Sequence, residues 1–249
     1  LPLERGVDPA ADNNYAFRRA AGKGHTDVVK LLLDLPLERG VNPAADGSYA
    51  FHWAARNGHT DVVQLLLDLP LERGVDPTAD DNYAFCYAAL NGHTDVVQLL
   101  LGLPLERGVD PAARSNYALR FAADNGRTAI VQLLLDLPLE RGVDPGVDGS
   151  SAFCFAAGKG HTDVVQLLLD LPLERGVDPT ARDHSAFRWP VMHCHTDVVQ
   201  LLLALPIERR PSRAVVQDVL SKRNLRPAMA SILAEHLAET DPAPKRRKV

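Results

Sequence analysis

The sequence lacks the features that mark secreted or membrane proteins. Its three cysteines among 249 residues are too few and too scattered for a disulfide framework, and an odd number leaves at least one unpaired. No apolar run approaches the roughly 20 residues that span a bilayer. The first residues, 1–5, have no basic-then-apolar signal layout. We therefore expect an intracellular protein, cytoplasmic or nuclear or both, with no contact to a membrane.

Signatures of catalysis are also missing. The chain contains no phosphate-cradling glycine loop, no nucleophile motif and no paired acid cluster at a distinctive spacing. Hydrophobic residues make up 46% of the chain and charged residues 24%, which is typical of a folded, water-soluble protein. These observations predict a protein that is not an enzyme and needs no cofactor. Leu1 falls at a joint between repeats without an initiator methionine, which leaves open whether the natural chain begins there.

Internal repetition determines the organisation of the chain. The string Leu-Pro-Leu-Glu-Arg-Gly-Val-Asp-Pro at Leu1 recurs, with little change, every 34 residues, at Leu35, Leu69, Leu103, Leu137 and Leu171. It decays at Leu205 into Leu-Pro-Ile-Glu-Arg-Arg. A fixed period of this size predicts stacked units whose core lies between neighbours. We expect six repeats over 1–204, a helical C-terminal cap over 205–240, in which Ser212 caps the first helix, and a flexible basic tail over 241–249.

Each repeat reads as two helices joined by a tight turn. In the first repeat, Asn14 is expected to cap a helix over Tyr15 to Lys23, and Gly24 can take the left-handed conformation that ends it. Thr26 is expected to cap a second helix over 27–34, which is apolar on almost every side. Such a helix suits a position between neighbouring units.

These residues resemble the ankyrin repeat. The similarity is clearest over 54–67, where Ala-Ala-Arg-Asn-Gly-His-Thr-Asp-Val-Val-Gln-Leu-Leu-Leu reads like an ankyrin helix pair. The resemblance covers 1–204 and implies an all-α, ankyrin-like helical-repeat solenoid of six helix-turn-helix units. The segment before the first helix is shorter than the family's β-hairpin finger, so we expect paired helices without a regular β finger. Binding to another protein is the function that the resemblance implies.

The charge of the repeats argues against binding to nucleic acid. DNA-reading repeats of the transcription-activator-like type also run 34 residues, but an array that follows phosphates should be basic. Residues 1–204 carry 17 Lys and Arg against 27 Asp and Glu. Nucleic acid is therefore an improbable partner for the repeats.

Variation among the repeats is concentrated at positions 12–15, 18, 19, 22 and 23 of the unit. These positions form columns on the first helix and the preceding turn, the face through which ankyrin-like proteins bind partners. Aromatic and arginine side chains suit interface anchors. The predicted partner-binding residues occupy positions 18 and 19: Arg18, Arg19, His52, Trp53, Tyr87, Arg120, Phe121, Phe155, Arg188 and Trp189.

The two positions are open to different interpretations. An aromatic residue at position 19, just before Ala-Ala, can simply pack against the neighbouring repeat. Position 18 is therefore the better candidate for contact with a partner. If Arg18, His52, Arg120 and Arg188 face solvent, their replacement by Glu should change partner binding and leave thermal unfolding nearly unchanged.

Histidine residues invite two chemical interpretations. A His near an Asp, as in the repeated Gly-His-Thr-Asp, could act as a general base. A catalytic site would need only one such pair, whereas the chain has five copies, so a structural role in the turn is favoured. In the sixth repeat, His184, His193, Cys194 and His195 could gather around zinc. Adjacent residues rarely point at one ion, and Pro190 is expected to disrupt the helix that carries them. We therefore predict a degenerate repeat and no metal.

The basic tail suggests a second function. Lys245, Arg246, Arg247 and Lys248 resemble a nuclear localisation signal with a nuclear import adaptor as its partner. The main hypothesis is a non-catalytic scaffold that binds a partner protein through the first-helix and turn face. The alternative is a nuclear, nucleic-acid-associated factor in which the tail contacts phosphate.

Overall fold

The regular structure is entirely helical over the residues that the structure, a computed structural model, describes. These are residues 8–36, 41–104, 106–172, 175–222 and 225–240. Fourteen α-helices and short 3-10 helices lie in these ranges, and no strand does. The prediction of paired helices without a β finger is confirmed there. The basic tail, including Lys245 to Lys248, lies outside the described residues.

The helices alternate along the chain as two helices per repeat. The first helices of the repeats are α1 (Ala11–Gly22), α3 (Ala45–Arg56), α5 (Ala79–Asn91), α7 (Ala113–Asp124), α9 (Val147–Lys159) and α11 (Ala181–His193). The second helices are α2 (Thr26–Leu33), α4 (Thr60–Leu67), α6 (Thr94–Leu101), α8 (Thr128–Leu135), α10 (Thr162–Leu169) and α12 (Thr196–Leu203). Two further helices follow the repeats, α13 (Arg213–Leu220) and α14 (Pro227–Glu239).

The chain divides into two compact units. The first comprises Leu1–Ala122 and Arg127–Val143, and the second comprises Ala123–Gly126 and Asp144–Val249. In the first unit α1 packs on α3 and α3 on α5, while α2, α4, α6 and α8 pack in sequence beside them. In the second, α9 packs on α11 and α10 on α12, and α13 and α14 follow against α11 and α12.

Small and aromatic residues of the first helices form the core of each unit. Phe17, Phe51 and Phe85 are fully buried, and the Ala-Ala pairs beside them let neighbouring helices approach closely. Val and Leu residues of the second helices are buried between neighbours, as their nearly continuous apolar pattern predicts. The core of each unit is therefore a row of contacts between successive repeats.

Gly24 ends the first helix as predicted. It has φ +73°, its N–H donates to the Ala21 carbonyl at 3.1 Å, and the His25 N–H donates to the Ala20 carbonyl at 2.9 Å. These two bonds form a Schellman motif. The predicted cap at Thr26 is wrong. Thr26 is the first residue of α2, no side chain caps that helix, and the Thr26 N–H donates to the Gly24 carbonyl at 2.9 Å in the tight turn.

A left-handed turn precedes the right-handed part of each first helix. Asp12, Asn13 and Asn14 have φ of 51°, 56° and 60°, with positive ψ. The equivalent residues of all six repeats share this conformation, including Gly47 and Gly149. Glycine, Asn and Asp tolerate the left-handed region better than other residues. Backbone conformation therefore explains the abundance of these residue types at positions 12 to 14.

The predicted role of Asn14 as a cap of its own helix is also wrong. Its buried side chain accepts a hydrogen bond from the backbone N–H of Asn42, in the next repeat, at 2.9 Å. Asn82 accepts from the Asp110 N–H at 2.9 Å in the same way, and the Ser150 hydroxyl accepts from the Asp178 N–H at 3.0 Å. The residue at position 14 thus joins consecutive repeats, because its left-handed backbone aims the side chain at the following loop.

The arginine of the repeated Leu-Pro-Leu-Glu-Arg string has a comparable role. Arg73 donates to the Leu33 carbonyl at 3.3 Å, at the C-terminal end of α2, and Arg107 donates to the Leu67 carbonyl at 3.1 Å, at the end of α4. The last carbonyls of a helix have no partner within it and attract cations. This arginine, at position 5 of its repeat, stabilises the end of the second helix that lies two repeats earlier, 40 residues back along the chain.

The cap prediction at Ser212 is confirmed. Ser212 has an extended backbone before α13, and its hydroxyl accepts the Val215 N–H at 3.4 Å. Helix α14 begins with Pro227, a residue that suits the first helical turn because it has no N–H to leave unbonded.

We expect Asn82→Ala to lower the free energy of unfolding by about 1–3 kcal/mol, because the Asp110 N–H loses its partner in a partly buried site. The matched variant Asn82→Ser should lose much less, since Ser150 makes the same bond in the fifth repeat. Urea denaturation measures both values. Equal losses in the two variants would contradict the assigned role of the bond.

Candidate partner-binding surface

Side chains at position 18 point toward the turn of the next repeat. Arg18 is 16% exposed, and its Nη1 lies 2.6 Å from the carboxylate of Asp46. His52 is buried, 5% exposed, with its Nδ1 3.7 Å from Asp80, and burial lowers the pKa of its imidazole. The prediction that His52 offers a contact surface is therefore wrong. Position 18 is used between repeats, and its arginines are only partly accessible.

The residue type at position 18 varies together with the residue type 28 positions later, at position 12 of the next repeat. Within each unit, Arg or His at position 18 is followed by Asp, and Cys is followed by Arg; the pairs are Arg18 with Asp46, His52 with Asp80, Cys86 with Arg114, and Cys154 with Arg182. Arg188 in the last repeat pairs instead with Asp218 on α13 at 2.5 Å, which lowers the pKa of Asp218. The two columns vary together because each repeat must match its neighbour.

Position 19 carries the accessible aromatic side chains. In the first unit they combine with tyrosines at position 15 into an aromatic row, which we define as Tyr49, Trp53, Tyr83, Tyr87, Tyr117 and Phe121. Tyr83 stacks on Tyr87 and Tyr117 on Phe121, each with ring centroids 4.1 Å apart. The centroids of Tyr87 and Tyr117 are 5.9 Å apart, and burial and the neighbouring Tyr87 raise the pKa of Tyr117 to about 12.

Arg56 joins Trp53 to Tyr83 and Tyr87 within the row. Its guanidinium lies 4.7 Å from the ring centroid of Trp53 and 5.2 Å from that of Tyr87, and it donates to the Tyr83 hydroxyl at 3.0 Å. The predicted site omits Arg56 and the position-15 tyrosines. The tyrosines at position 15 are four residues before position 19, and this spacing places the two positions on one helix face. That spacing is the sequence signal that could have revealed the tyrosines.

The remaining predicted residues are distributed unevenly. Arg19 is exposed, with its guanidinium 6.0 Å from the ring centroid of Tyr15. Arg120 is half-buried and donates to the Arg114 carbonyl at 3.2 Å. In the second unit, buried Ser151 and Ser185 replace tyrosine at position 15. Two aromatic rings remain at position 19 of that unit, those of Phe155 and Trp189, nearly parallel with centroids 6.5 Å apart.

The repeated histidine has a structural setting. His59 Nε2 lies 3.1 Å from the Gly22 carbonyl, and His93 Nε2 lies 2.9 Å from that of Arg56, so each imidazole contacts the preceding repeat. A Cβ on Gly58 would lie only 2.4 Å from His93 Nδ1. The glycine is thus needed for both its left-handed backbone and the space that the next histidine occupies.

Other candidate chemistry has no counterpart in the described residues. No group of three or more His, Cys, Asp or Glu is placed there to hold a metal. Burial raises the pKa of the Cys86 thiol to about 11, so it is protonated at neutral pH and a poor nucleophile.

The expectation that Pro190 disrupts its helix is wrong: α11 continues to His193, with Pro190 buried where other repeats have alanine. None of the described helices is both long and apolar enough for a transmembrane segment.

The ion pair at Arg18 changes the expected result of a charge reversal. Arg18→Glu should lower the free energy of unfolding by roughly 1 kcal/mol, because it replaces a pair with a repulsion beside Asp46. The double variant Arg18→Glu with Asp46→Arg should recover most of this loss. Thermal unfolding at low salt measures the stability of both variants and of the unmodified protein. If the single variant unfolds like the unmodified protein, the pair has no role in matching the repeats.

Comparison with known protein families agrees with this architecture. The family model described as ankyrin repeats (3 copies) matches residues 3–81 and 119–210, and the model described as ankyrin repeats (many copies) matches residues 85–135. No curated protein matches the chain. The matched residues span most of the chain and include the helix pairs described above. The chain therefore belongs to the ankyrin repeat family.

Proposed function

We propose that this protein is a scaffold that binds a partner protein through its aromatic row. Ankyrin repeats are generally protein–protein interaction modules and are typically non-catalytic. The observation that carries the proposal is the continuous set of aromatic rings on the first helices, from Tyr49 to Phe121, joined through Arg56. Of the residues predicted from the sequence, the proposal keeps Trp53, Tyr87 and Phe121 at position 19, adds tyrosines at position 15 and leaves out position 18.

The chemistry of the row suits an interface. Tyr, Trp and Arg are enriched among the residues that contribute most to binding, because they bury a large area and lose few rotamers. Stacked rings and a guanidinium held by two aromatic faces are already ordered before a partner arrives, which lowers the entropic cost of association. The surrounding repeats are acidic, so their charge limits nonspecific binding to nucleic acid.

Removal of two rings tests the proposal. We expect the double variant Tyr83→Ser with Tyr117→Ser to lose partners that the unmodified protein captures from cell extract, quantified by mass spectrometry. Serine is the native residue at position 15 of the fifth and sixth repeats, so the repeat structure accommodates serine there. Loss of two aromatic anchors should weaken capture by at least about tenfold.

The matched control places the same change on exposed residues of the second helices. Gln64→Ser with Gln98→Ser should capture the same proteins as the unmodified protein, and circular dichroism should show that both variants remain folded. Capture that survives the tyrosine substitutions, or that fails equally in the glutamine variant, would contradict binding through the aromatic row.

We also propose that the tail directs nuclear import, so that the protein is intracellular and reaches the nucleus. The support is the sequence Lys245-Arg246-Arg247-Lys248, a compact basic cluster of the type that import adaptors bind. A fluorescent reporter fused to residues 240–249 should accumulate in the nucleus, and replacement of the four basic residues by alanine should abolish the accumulation. A reporter that keeps its cytoplasmic distribution would refute the import signal.

A further inference from the structure

One arrangement of residues occurs twice and is not explained by stacking alone. Gly-Lys at positions 22 and 23 appears in the first and fifth repeats, as Gly22-Lys23 and Gly158-Lys159. The two tryptophans of the chain lie at position 19 of the repeats that follow, as Trp53 and Trp189. Where position 22 has Arg, Leu or Asp, the next repeat has Tyr or Phe at position 19.

The glycine makes room for the indole. A Cβ on Gly22 would lie 3.2 Å from Cβ of Trp53, and a Cβ on Gly158 would lie 2.8 Å from Cε3 of Trp189. A larger residue in place of Gly158 would displace the indole of Trp189, whereas in place of Gly22 it would require Cβ of Trp53 to shift by a few tenths of an ångström. Glycine within a helix lowers helix stability by up to about 1 kcal/mol relative to alanine. The cost is accepted at both sites where a tryptophan follows.

Each Gly-Trp contact lies in an open cleft that also holds the lysine. The first cleft, of about 220 Å³, lies in the first unit and is lined by Arg19, Lys23, Tyr49 and Trp53 among others. The second, of about 340 Å³, lies in the second unit and is lined by Phe155, Lys159, Trp189 and His193 among others. Both lysines are exposed, and Trp189 keeps 36% of its surface accessible.

Both clefts are less acidic than the repeats as a whole. No carboxylate lines the first cleft among the described residues, and Arg19 and Lys23 lie there together. In the second cleft, Asp124 is joined by Lys159 and two histidines. Residues 1–204 as a whole carry ten more acidic than basic side chains. The first cleft is therefore a local basic and aromatic site on an acidic protein, whereas in the second cleft the charge of Lys159 is balanced by Asp124.

We infer that the two clefts bind acidic polypeptide segments of a partner, with an aromatic side chain of the segment against the tryptophan and a carboxylate against the lysine. This inference rests on the proposed scaffold function and specifies the chemistry of the partner. The indole supplies the apolar contact area, and the lysine supplies the charge that selects an acidic neighbour.

The two tryptophans provide a direct assay. In the full chain, Trp189→Phe leaves an indole only in the first cleft, and Trp53→Phe leaves one only in the second; phenylalanine is native at position 19 of the fourth and fifth repeats. The probe is a short synthetic peptide free of tryptophan and tyrosine, with one Phe flanked by Asp and Glu. It should change the fluorescence of both single-tryptophan proteins in a saturable way.

Matched peptides and lysine variants identify the contacts. A peptide with Asn and Gln in place of Asp and Glu, or with Ala in place of Phe, should bind about tenfold more weakly. Lys23→Asn in the Trp189→Phe protein, and Lys159→Asn in the Trp53→Phe protein, should weaken binding of the acidic peptide about fivefold. Asparagine is native at position 23 of three repeats, and Lys30→Asn, on an exposed site of α2, should have no effect.

Three results would overturn the inference: no binding of the acidic peptide, equal binding of the neutral peptide, or unchanged affinity after Lys23→Asn and Lys159→Asn. A response to single-stranded oligouridylate with none to the peptide would also overturn it and would assign the aromatic rings to nucleic acid. Tyr83 and Tyr117 do not line either cleft. Partner capture that depends on those tyrosines, together with no peptide binding, would refute the clefts and leave the scaffold function intact.

Discussion

Within each unit, consecutive repeats complete their hydrogen bonds and their packing against one another. The side chain at position 14 accepts a backbone N–H 28 residues later, as Asn14 does from Asn42. The histidine at position 25 contacts the end of the preceding first helix, as His59 does at the Gly22 carbonyl. Because each bond joins two repeats, a single repeat is left with unsatisfied polar groups and an exposed apolar face. A repeat is therefore stable only when it is packed against neighbouring repeats.

This constraint explains much of the variation among the repeats. Positions 12 and 18 vary, but in matched pairs such as Arg18 with Asp46 and His52 with Asp80. Positions 22 and 19 vary as matched sizes, since Trp53 and Trp189 each follow a glycine. Variation within a repeat protein therefore has two sources, the match between neighbouring repeats and the surface offered to a partner. A residue whose variation is mirrored in a neighbouring repeat contributes to the match, and one that also stays accessible, such as Trp189, can contribute to both.

The aromatic row fits the second source. Its tyrosines and Phe121 lie on the face that the first helices present, and their rings contact one another across repeat boundaries. Aromatic rings can serve both roles at once, because one face packs against a neighbour while the other remains accessible. This dual role is why position 19, which periodicity alone assigns to packing, also supplies the best candidates for partner contact.

The sequence predicts local structure well where backbone chemistry determines it. Gly24 ends its helix because only a residue that tolerates positive φ fits there, and Ser212 caps α13 because the chain before it is extended. Caps at Asn14 and Thr26 are wrong because a three-residue left-handed turn and a tight backbone bond redirect those side chains. The sequence pattern of a single repeat does not show in which direction the Asn14 and Thr26 side chains point.

The 34-residue period, the helix pairs and the acidic repeats are thus determined by the sequence alone, since they depend on residue type and local order. The direction of each variable side chain is decided by tertiary structure. His52 and Arg18 read as surface residues in the sequence, but stacking places the turn of the next repeat, with Asp80 or Asp46, against them. The physical reason is that their partners lie 28 residues away, so burial and pairing appear only when two repeats pack together.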